Sequence, residues 1–277
     1  DHCTRLCHAS SVAALLEGIG SGAVSNQVSD VAKAELIFLI GSNPTPTLHT
    51  PKLCTIALMR EVALVTGASG GIGEDLARLI AAGGRDVVLL ARGAAKLQTL
   101  ADELSNAHKI SATVVSMDLS SPGAAEDVTL VLAERRITVD MLVNNAGFGT
   151  HGAFANDDPQ EQLRMLQVNV IALTTLTRLL LPGMIERRRG RVLNVAATAV
   201  FQPGPLMAVY YASKSYVLSL SLALSEETAG TGVTVTCLCP GPTRTGFQDR
   251  AQMNQSRLFD SLASCARPMS PGLATTR

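Results

Sequence analysis

Residues 62–73 read Val-Ala-Leu-Val-Thr-Gly-Ala-Ser-Gly-Gly-Ile-Gly, an apolar run that ends directly in a cluster of glycines. The apolar run predicts a buried strand, and the residues after Gly73 predict an amphipathic helix. Gly67 allows a tight turn, Gly71 lets a pyrophosphate approach the backbone, and Gly73 lets the helix pack closely on the strand. Because free N–H groups and the helix dipole favour anions at a helix N-terminus, this stretch predicts a nucleotide-phosphate site that includes Ser69 and Ile72.

Strands and helices alternate along the chain from about residue 52 onward. The strand candidates are residues 61–66, 86–91, 113–117, 141–144, 191–196 and 233–238, and the helical patterns are residues 74–82, 95–105, 124–134, 159–186 and 209–227. Most of the strand candidates are nearly continuous apolar runs, which is typical of a parallel sheet covered on both faces. The pattern therefore predicts an α/β fold, a Rossmann-type doubly wound parallel sheet with helices on both faces.

The leading part of the chain has a different character. Residues 43–51, Asn-Pro-Thr-Pro-Thr-Leu-His-Thr-Pro, contain three prolines and predict a linker. We therefore predict an appended segment over residues 1–52 and a dinucleotide-binding oxidoreductase domain over residues 53–277. Three short motifs lie in this part: His-Cys-Thr-Arg-Leu-Cys-His at residues 2–8, Gly-Ser-Gly-Ala at residues 20–23 and Ile-Gly-Ser-Asn-Pro at residues 40–44. On these motifs, residues 1–46 resemble a fragment of the large subunit of a molybdopterin-dependent formate dehydrogenase, but no other part of that enzyme is present. The histidines and cysteines of residues 2–8 lack the paired spacing of zinc ligands, so no metal site is predicted.

Composition and charge argue against several classes of partner. The formal net charge is zero, which gives no electrostatic attraction to nucleic acid or to an anionic membrane. We find no apolar run near the roughly 18–20 residues that a bilayer span requires, and therefore predict no membrane partner. The six cysteines are scattered, unlike a disulfide framework, and Cys237 and Cys239 are predicted to be buried in a strand. We expect a cytoplasmic protein.

Residues at the ends of the predicted strands indicate which nucleotide binds. The second strand ends in Ala91-Arg92, where Ala91 lacks the carboxylate that binds ribose hydroxyls in NAD sites. Arg92 offers donors suited to a 2′-phosphate, with Lys96 as a weaker contributor, so the sequence favours NADP over NAD. Asp118 and Leu119 end the third strand, near the expected adenine position. The fourth strand ends in Asn144, Asn145, Ala146 and Gly147, which are predicted cofactor-binding residues. The small residues would lie beside the cofactor, and the amides are available to hold strand ends together.

Tyr210 and Lys214 lie one helical turn apart, which places them on the same face of a helix. With residues 66–73, 144–147 and 240–241 and Asn169, they resemble the short-chain dehydrogenase/reductase family in order and spacing over residues 60–266. The resemblance implies that Tyr210 is the general acid in carbonyl reduction and the base in alcohol oxidation. An ammonium at ~4 Å is worth about 4 kcal/mol, so Lys214 is expected to lower the pKa of Tyr210 by roughly three units.

The resemblance also assigns supporting roles. Lys214 would hold the nicotinamide ribose, while Asn169 would kink its helix and bind a water that relays protons to Lys214. The loop after the sixth strand would hold the nicotinamide carboxamide through Pro240, Gly241, Thr243 and Thr245.

Two departures from the family pattern bear on activity. The family has a serine thirteen residues before the reactive tyrosine, where this chain has Ala197. Loss of one such donor typically costs ~10²–10³ in rate. Thr198 carries a hydroxyl, but a shift of one residue along a strand turns the side chain to the other face, so Thr198 substitutes only if the backbone has already left strand geometry. Residues 267–277 contain no strand-like run, so the last strand of the sheet is predicted to be missing.

Two readings of the function follow. The first is an NADP-dependent oxidoreductase that interconverts a carbonyl and an alcohol. Its substrate is expected to be apolar and to bind near residues 148–154, residues 201–207 and the segment after Thr245. The second is a catalytically impaired nucleotide-binding protein of the same fold, for which Ala197 and the short C-terminus are the evidence. A homo-oligomer is a further expectation. A molybdenum enzyme is excluded because its ligand apparatus is missing.

Overall fold

The strands in the described part of the chain form one parallel sheet. The computed structural model describes residues 60–241, which contain six strands. These are β1 (Val62–Thr66), β2 (Asp86–Ala91), β3 (Ala112–Ser116), β4 (Met141–Asn144), β5 (Gly190–Val195) and β6 (Val233–Leu238). The predictions for residues 1–52 (with the formate dehydrogenase resemblance), for Thr243 and Thr245, and for the missing last strand lie outside the described residues.

Strand order explains where a site can form. The six strands are all parallel and lie in the order β3-β2-β1-β4-β5-β6. The order reverses between β1 and β4, and ligands in such sheets bind at that point, beyond the carboxyl ends of the strands. The predicted Rossmann-type doubly wound sheet is therefore confirmed for the described part of the chain.

Helices cover both faces of this sheet. They are α1 (Gly71–Ala82), α2 (Ala94–His108), α3 (Ala124–Glu134), α4 (Pro159–Leu166), α5 (Leu173–Glu186) and α6 (Ala208–Glu227). A π-helical segment (Gln167–Ala172) joins α4 to α5 without a break, and a short 3₁₀ helix (Thr198–Phe201) follows β5. Helix α1 begins at Gly71, three residues earlier than the predicted helical pattern of residues 74–82.

Alternation along the strands divides the core into two layers. Leu64 and Val88 face a layer that includes Val128 of α3 and Leu176 of α5, all fully buried. Their neighbours Val65 and Leu89, with Val87, face the other layer, which α1 and α2 cover through residues such as Ala77 and Leu97. Each large apolar side chain buried in this way stabilises the fold by about 1.5–3 kcal/mol.

The helix formed by residues 159–186 is more apolar than the sequence pattern suggested. An 18-residue window of it has a mean hydropathy of 1.6, so it is long and apolar enough to cross a membrane by length and composition alone. The prediction that no such run exists is therefore wrong. Part of the apolar surface of this helix packs into the core of the protein, since Met165, Leu176 and Met184 are fully buried. Ile171 and Leu179, on the same helix, are exposed.

Candidate functional site

A cavity of about 1070 Å³ opens at the carboxyl ends of the strands. Its size is at the upper end of the usual range for small-molecule sites, roughly 300–1,000 Å³. The predicted site residues that line it are Gly67, Ser69, Gly71, Ile72, Arg92, Asp118, Leu119, Asn145, Ala146, Gly147, Tyr210, Lys214, Pro240 and Gly241. Three other predicted residues, Gly73, Asn144 and Asn169, do not line the cavity and act behind its wall.

The glycine turn after β1 depends on conformations and contacts that other residues do not tolerate. Gly67 and Gly71 adopt φ values of +68° and +57°, in the left-handed region. The Leu90 carbonyl accepts a 2.7 Å hydrogen bond from the Gly67 N–H, which ties the turn to the end of β2. A Cβ atom at Gly73 would lie 2.3 Å from both the Gly67 carbonyl oxygen and Asn145 Nδ2, so Gly73 makes the close helix–strand packing that the sequence predicted.

Thr66 organises the floor of the site, and sequence reasoning did not select it. Its Oγ1 accepts hydrogen bonds of 2.9 Å from the backbone N–H groups of Asn145 and Ala146, and donates one to the Val143 carbonyl. Asn145 Nδ2 donates a 3.0 Å hydrogen bond to the Thr66 carbonyl. These bonds join the ends of β1 and β4. The available signal was a hydroxyl residue in the last strand position before the glycine turn.

Asn144 faces away from the cavity, which corrects its prediction as a cofactor contact. Because strand neighbours alternate, Asn145 lines the cavity while the Asn144 side chain is buried on the opposite side. Asn144 Nδ2 donates to Thr177 Oγ1 at 3.0 Å and to Asn194 Oδ1 at 2.9 Å. Asn194 Nδ2 in turn donates to Ser221 Oγ at 2.9 Å. This buried chain of amides and hydroxyls ties β4 and β5 to the helices α5 and α6.

Asn169 lies in the π-helical segment and supports the loop that follows β4. It is 1% exposed; its Oδ1 accepts a bond from the Phe148 N–H, and its Nδ2 donates to the Phe148 carbonyl at 2.9 Å. Nδ2 also donates to Ser213 Oγ, which bonds to the Tyr210 carbonyl at 2.7 Å. A π turn is wider than an α turn, and such turns are a known cause of kinks in helices. The π-helical segment is therefore compatible with the kink that the resemblance implies. A role in holding a proton-relay water stays a prediction.

Tyr210 and Lys214 both reach the cavity from α6, and their environments shift their pKa values in opposite senses. Lys214 is 5% exposed, and Nζ donates a 2.8 Å hydrogen bond to the Val195 carbonyl. Burial lowers the pKa of Lys214 to about 8, because the ammonium loses hydration. Burial also raises the pKa of Tyr210, with a smaller contribution from neighbouring Tyr211, because it disfavours the phenolate.

The predicted net lowering of the Tyr210 pKa is therefore not found in this structure, because burial raises that pKa. Lys214 Nζ lies 6.0 Å from the centroid of the Tyr210 ring and is directed at a backbone carbonyl. The expected shift assumed an ammonium at ~4 Å and an unchanged hydration of the phenol. Loss of hydration is the main cause of the raised pKa, so Tyr210 keeps its proton at neutral pH.

The end of β2 has the character predicted for an NADP site. Arg92 and Lys96 are exposed and line the cavity together with Ala91, which has no polar side-chain atom. The Arg92 backbone is held in place by a 3.0 Å bond from Ser116 Oγ to its carbonyl. Asp118 accepts bonds from the backbone N–H and the hydroxyl of Ser120, so its carboxylate stabilises the turn after β3.

Ala197 and Thr198 both line the cavity, although they are neighbours in sequence. Strand β5 ends at Val195, and Ala197 is extended, with φ −165° and ψ 163°. The 3₁₀ helix begins at Thr198, so the alternation of a strand no longer applies there. The structure therefore meets the condition that sequence reasoning set for Thr198, namely that the backbone leaves strand geometry.

Comparisons with known proteins agree with this geometry. The family model described as short chain dehydrogenase matches residues 61–256. A very-long-chain 3-oxoacyl-CoA reductase of Phaeosphaeria nodorum is 36% identical over 181 residues, which cover 64% of this chain and 53% of the relative. The chain spans about half the length of the curated relatives of this kind, 51–58% for the first three.

Solved structures give the same result. A short-chain dehydrogenase from Sphingobium yanoikuyae in complex with NADPH is 30% identical with a TM-score of 0.67, covering 74% of this chain and 83% of that one. A metagenomic short-chain oxidoreductase in complex with NADP is 37% identical with a TM-score of 0.61, covering 66% and 83%. The matched residues of the family model begin at residue 61, so the formate dehydrogenase resemblance of residues 1–46 stays a prediction.

Proposed function

The chain belongs to the short-chain dehydrogenase family. We propose that it interconverts a carbonyl and an alcohol with NADP(H). One observation carries the proposal. The glycine turn after β1, the Arg92–Lys96 end of β2 and the pair Tyr210–Lys214 line the same cavity. A nucleotide cradle and a proton donor are thus combined at the switch point of the sheet.

The residues of the cavity fit NADP. The left-handed Gly67 and Gly71 leave backbone space for phosphates at the start of α1, where the helix dipole favours anions. Arg92 and Lys96 would bind a 2′-phosphate, and Asp118 and Leu119 would lie beside the adenine. Pro240 and Gly241 would form part of the nicotinamide end, continuing into the predicted contacts Thr243 and Thr245. When bound, NADPH supplies the hydride.

The side chains of α6 supply and control the proton. Because its pKa is raised, Tyr210 is protonated at neutral pH and can act as general acid towards a carbonyl oxygen. Lys214 carries a positive charge below about pH 8, and this charge stabilises the negative charge that develops as Tyr210 gives up its proton. Asn169 holds the Phe148 backbone and, through Ser213, the first turn of α6.

We propose a carbonyl substrate that carries an apolar chain. Phe148, Ala199 and Met207 line the cavity near Tyr210 and Tyr211 and provide apolar surface. Phe154 and Leu206, which line a small adjoining pocket with Met207, are exposed. The names of the relatives make 3-oxoacyl thioesters the first compounds to test.

A second candidate is a nucleotide-binding protein with impaired catalysis. Ala197 favours it, because the residue that lines the cavity at this position has no hydrogen-bond donor. Retention of Tyr210, Lys214 and Asn169 in one assembly favours the enzyme.

An assay with the purified full chain separates the two candidates. NADPH and NADH binding would be titrated by fluorescence, and turnover followed with 3-oxoacyl thioesters and a panel of apolar ketones, using Tyr210→Phe as the matched control. An enzyme shows NADPH-dependent turnover that the phenylalanine variant loses without losing NADPH affinity. Tight NADPH binding without turnover supports the second candidate, and absence of binding rejects both.

We also propose that the protein acts in the cytoplasm as a homo-oligomer and without a membrane partner. The free, fully buried thiols of Cys237 and Cys239 suit a reducing compartment. Ile171 and Leu179 on the helix of residues 159–186 are exposed, as are Tyr216 and Leu222 on α6, and a second copy would cover them. Cell fractionation and light scattering test these points, and a membrane-bound pool or a monomer at assay concentration would contradict them.

A further inference from the structure

The cavity wall formed by the chain after β5 carries a single hydroxyl. The lining residues of this stretch are Val195, Ala196, Ala197, Thr198 and Ala199, and only Thr198 has a polar side chain. Two neighbouring residues line the cavity because the 3₁₀ helix begins at Thr198. Thr198 is partly buried, and its hydroxyl makes no hydrogen bond with another residue of the described range 60–241.

The backbone around Thr198 is fixed by three hydrogen bonds. The Ala196 N–H donates to the Leu238 carbonyl at 2.8 Å, and the Thr198 N–H donates to the Pro240 carbonyl at 3.0 Å. The Val200 N–H donates to the Ala197 carbonyl at 3.2 Å. Since the Thr198 N–H is already used, the hydroxyl is the donor that this residue can offer to a ligand. A β-branched side chain has few χ1 rotamers, so little freedom is lost when it binds.

We propose that Thr198 is a second catalytic residue, whose hydroxyl donates a hydrogen bond to the substrate oxygen while Tyr210 transfers the proton. This inference rests on the proposed carbonyl–alcohol activity. In reduction, the carbonyl carbon would be reduced by a hydride that bound NADPH supplies, leaving the nicotinamide oxidised, and the C=O π electrons would move to oxygen. That oxygen takes the proton of Tyr210, and Thr198 keeps its own. A donor already placed at the developing charge typically contributes ~10²–10³ in rate.

Other polar side chains of this part of the cavity are less suited to the role. The ring of Tyr211 packs against Gly204, where a Cβ atom would lie 2.2 Å from it, and it contacts the Tyr210 ring edge to face at 6.0 Å. Gln202 lies at the end of the 3₁₀ helix and is exposed, so its longer side chain is less restrained. Among these residues, Thr198 is the hydrogen-bond donor whose backbone is fixed by hydrogen bonds before and after it in the chain.

Five variants of the full chain test the inference: Thr198→Val, Thr198→Ala, Thr198→Ser, Ala197→Ser and the double variant Ala197→Ser/Thr198→Val. Valine removes the hydroxyl with little change in shape, and alanine serves if the valine variant does not fold. We expect kcat with the best carbonyl substrate to fall ~10²–10³-fold in the valine and alanine variants, and no more than a few-fold in the serine variant. The double variant should recover at least about tenfold, because its new hydroxyl lines the same cavity.

NADPH affinity, measured by fluorescence titration, should be equal in all variants, since Thr198 acts on the substrate oxygen. A Thr198→Val variant that retains the kcat of the unchanged protein overturns the inference and leaves the proposed function intact. An unchanged protein without turnover, together with an active Ala197→Ser variant, also overturns it and supports the impaired-protein reading. If neither the unchanged protein nor Ala197→Ser turns over any carbonyl, the proposed function fails and this inference fails with it.

Discussion

Lys214 is a cation held almost entirely out of water, and its environment makes the pH range of the reaction predictable. Burial lowers its pKa to about 8, so the charge that assists Tyr210 is lost as the pH rises through that value. The pKa of Tyr210 is raised, so Tyr210 stays protonated in the same range. We therefore expect kcat/KM for reduction to be constant below about pH 7 and to fall above about pH 8, by up to about tenfold per pH unit.

The control for this prediction is Lys214→Arg, which keeps its charge to a pH above about 12. Profiles of kcat/KM against pH for both proteins give the answer. The high-pH limb should disappear, or move well upward, in the arginine variant. If both proteins lose activity through the same limb, then a group other than Lys214 controls the reaction.

Arg92 is the residue on which the choice of nucleotide depends. It lines the cavity at the end of β2, where Ala91 offers no carboxylate for ribose hydroxyls. Arg92→Ala should raise KM for NADPH about 10–100-fold, which corresponds to the loss of one charge-assisted contact, and leave KM for NADH nearly unchanged. Lys96→Ala is the matched control and should have a smaller effect. An equal rise in both KM values would show that Arg92 does not read the 2′-phosphate.

Helix α1 packs so closely on the turn after β1 that the position of Gly73 has no room for a side chain. A Cβ atom at Gly73 would lie 2.3 Å from the Gly67 carbonyl oxygen, whereas a Cβ atom at Gly70 meets no atom within 4 Å. Gly70 has φ 168°, an extended value that any residue adopts. Gly73→Ala should therefore destabilise the protein by roughly 2 kcal/mol or more, and Gly70→Ala by less than about 0.5 kcal/mol.

Urea unfolding of the two alanine variants beside the unchanged protein measures this difference. Stability is the decisive readout, because Gly70 lines the cavity and its substitution can weaken nucleotide binding without affecting the fold. Equal losses of stability in both variants would mean that the close packing of α1 on the turn after β1 is not what excludes a side chain at residue 73.

At the scale of the whole molecule, the sheet was predictable from sequence because its strands are nearly continuous apolar runs. Strand ends agreed with the structure within one residue, and the glycine turn lines the cavity at the carboxyl ends of the strands. Asn144 was wrongly predicted to contact the cofactor, because the sequence does not show which face of the sheet a side chain at a strand end takes. In the structure its side chain takes the face on which it bonds to Thr177 and Asn194, which belong to elements distant in sequence. The pKa of Tyr210 was misjudged because spacing on a helix gives neither the direction of the Lys214 ammonium nor the hydration lost on burial.

The buried charge of Lys214 also has a consequence for the stability of the whole fold. Its pKa is about 8 when folded, against 10.5 for an ordinary lysine, so the unfolded chain binds more protons between these pH values. The free energy of unfolding must therefore rise with pH over this window, and below about pH 8 the folded protein bears the full cost of a desolvated ammonium. Lys214→Met, which fills similar space without charge, is expected to be inactive yet more stable at pH 7.

This gain should approach about 3 kcal/mol at pH 7, since each pKa unit is worth about 1.4 kcal/mol, less the hydrogen bond that Lys214 makes to Val195. Urea unfolding of both proteins between pH 7 and pH 10.5 tests the prediction. The difference should shrink steadily as the pH rises through the window, because the lysine of the unchanged protein becomes neutral. A difference that is independent of pH would mean that Lys214 has the same pKa in the folded and the unfolded protein, so that its charge is not lost near pH 8.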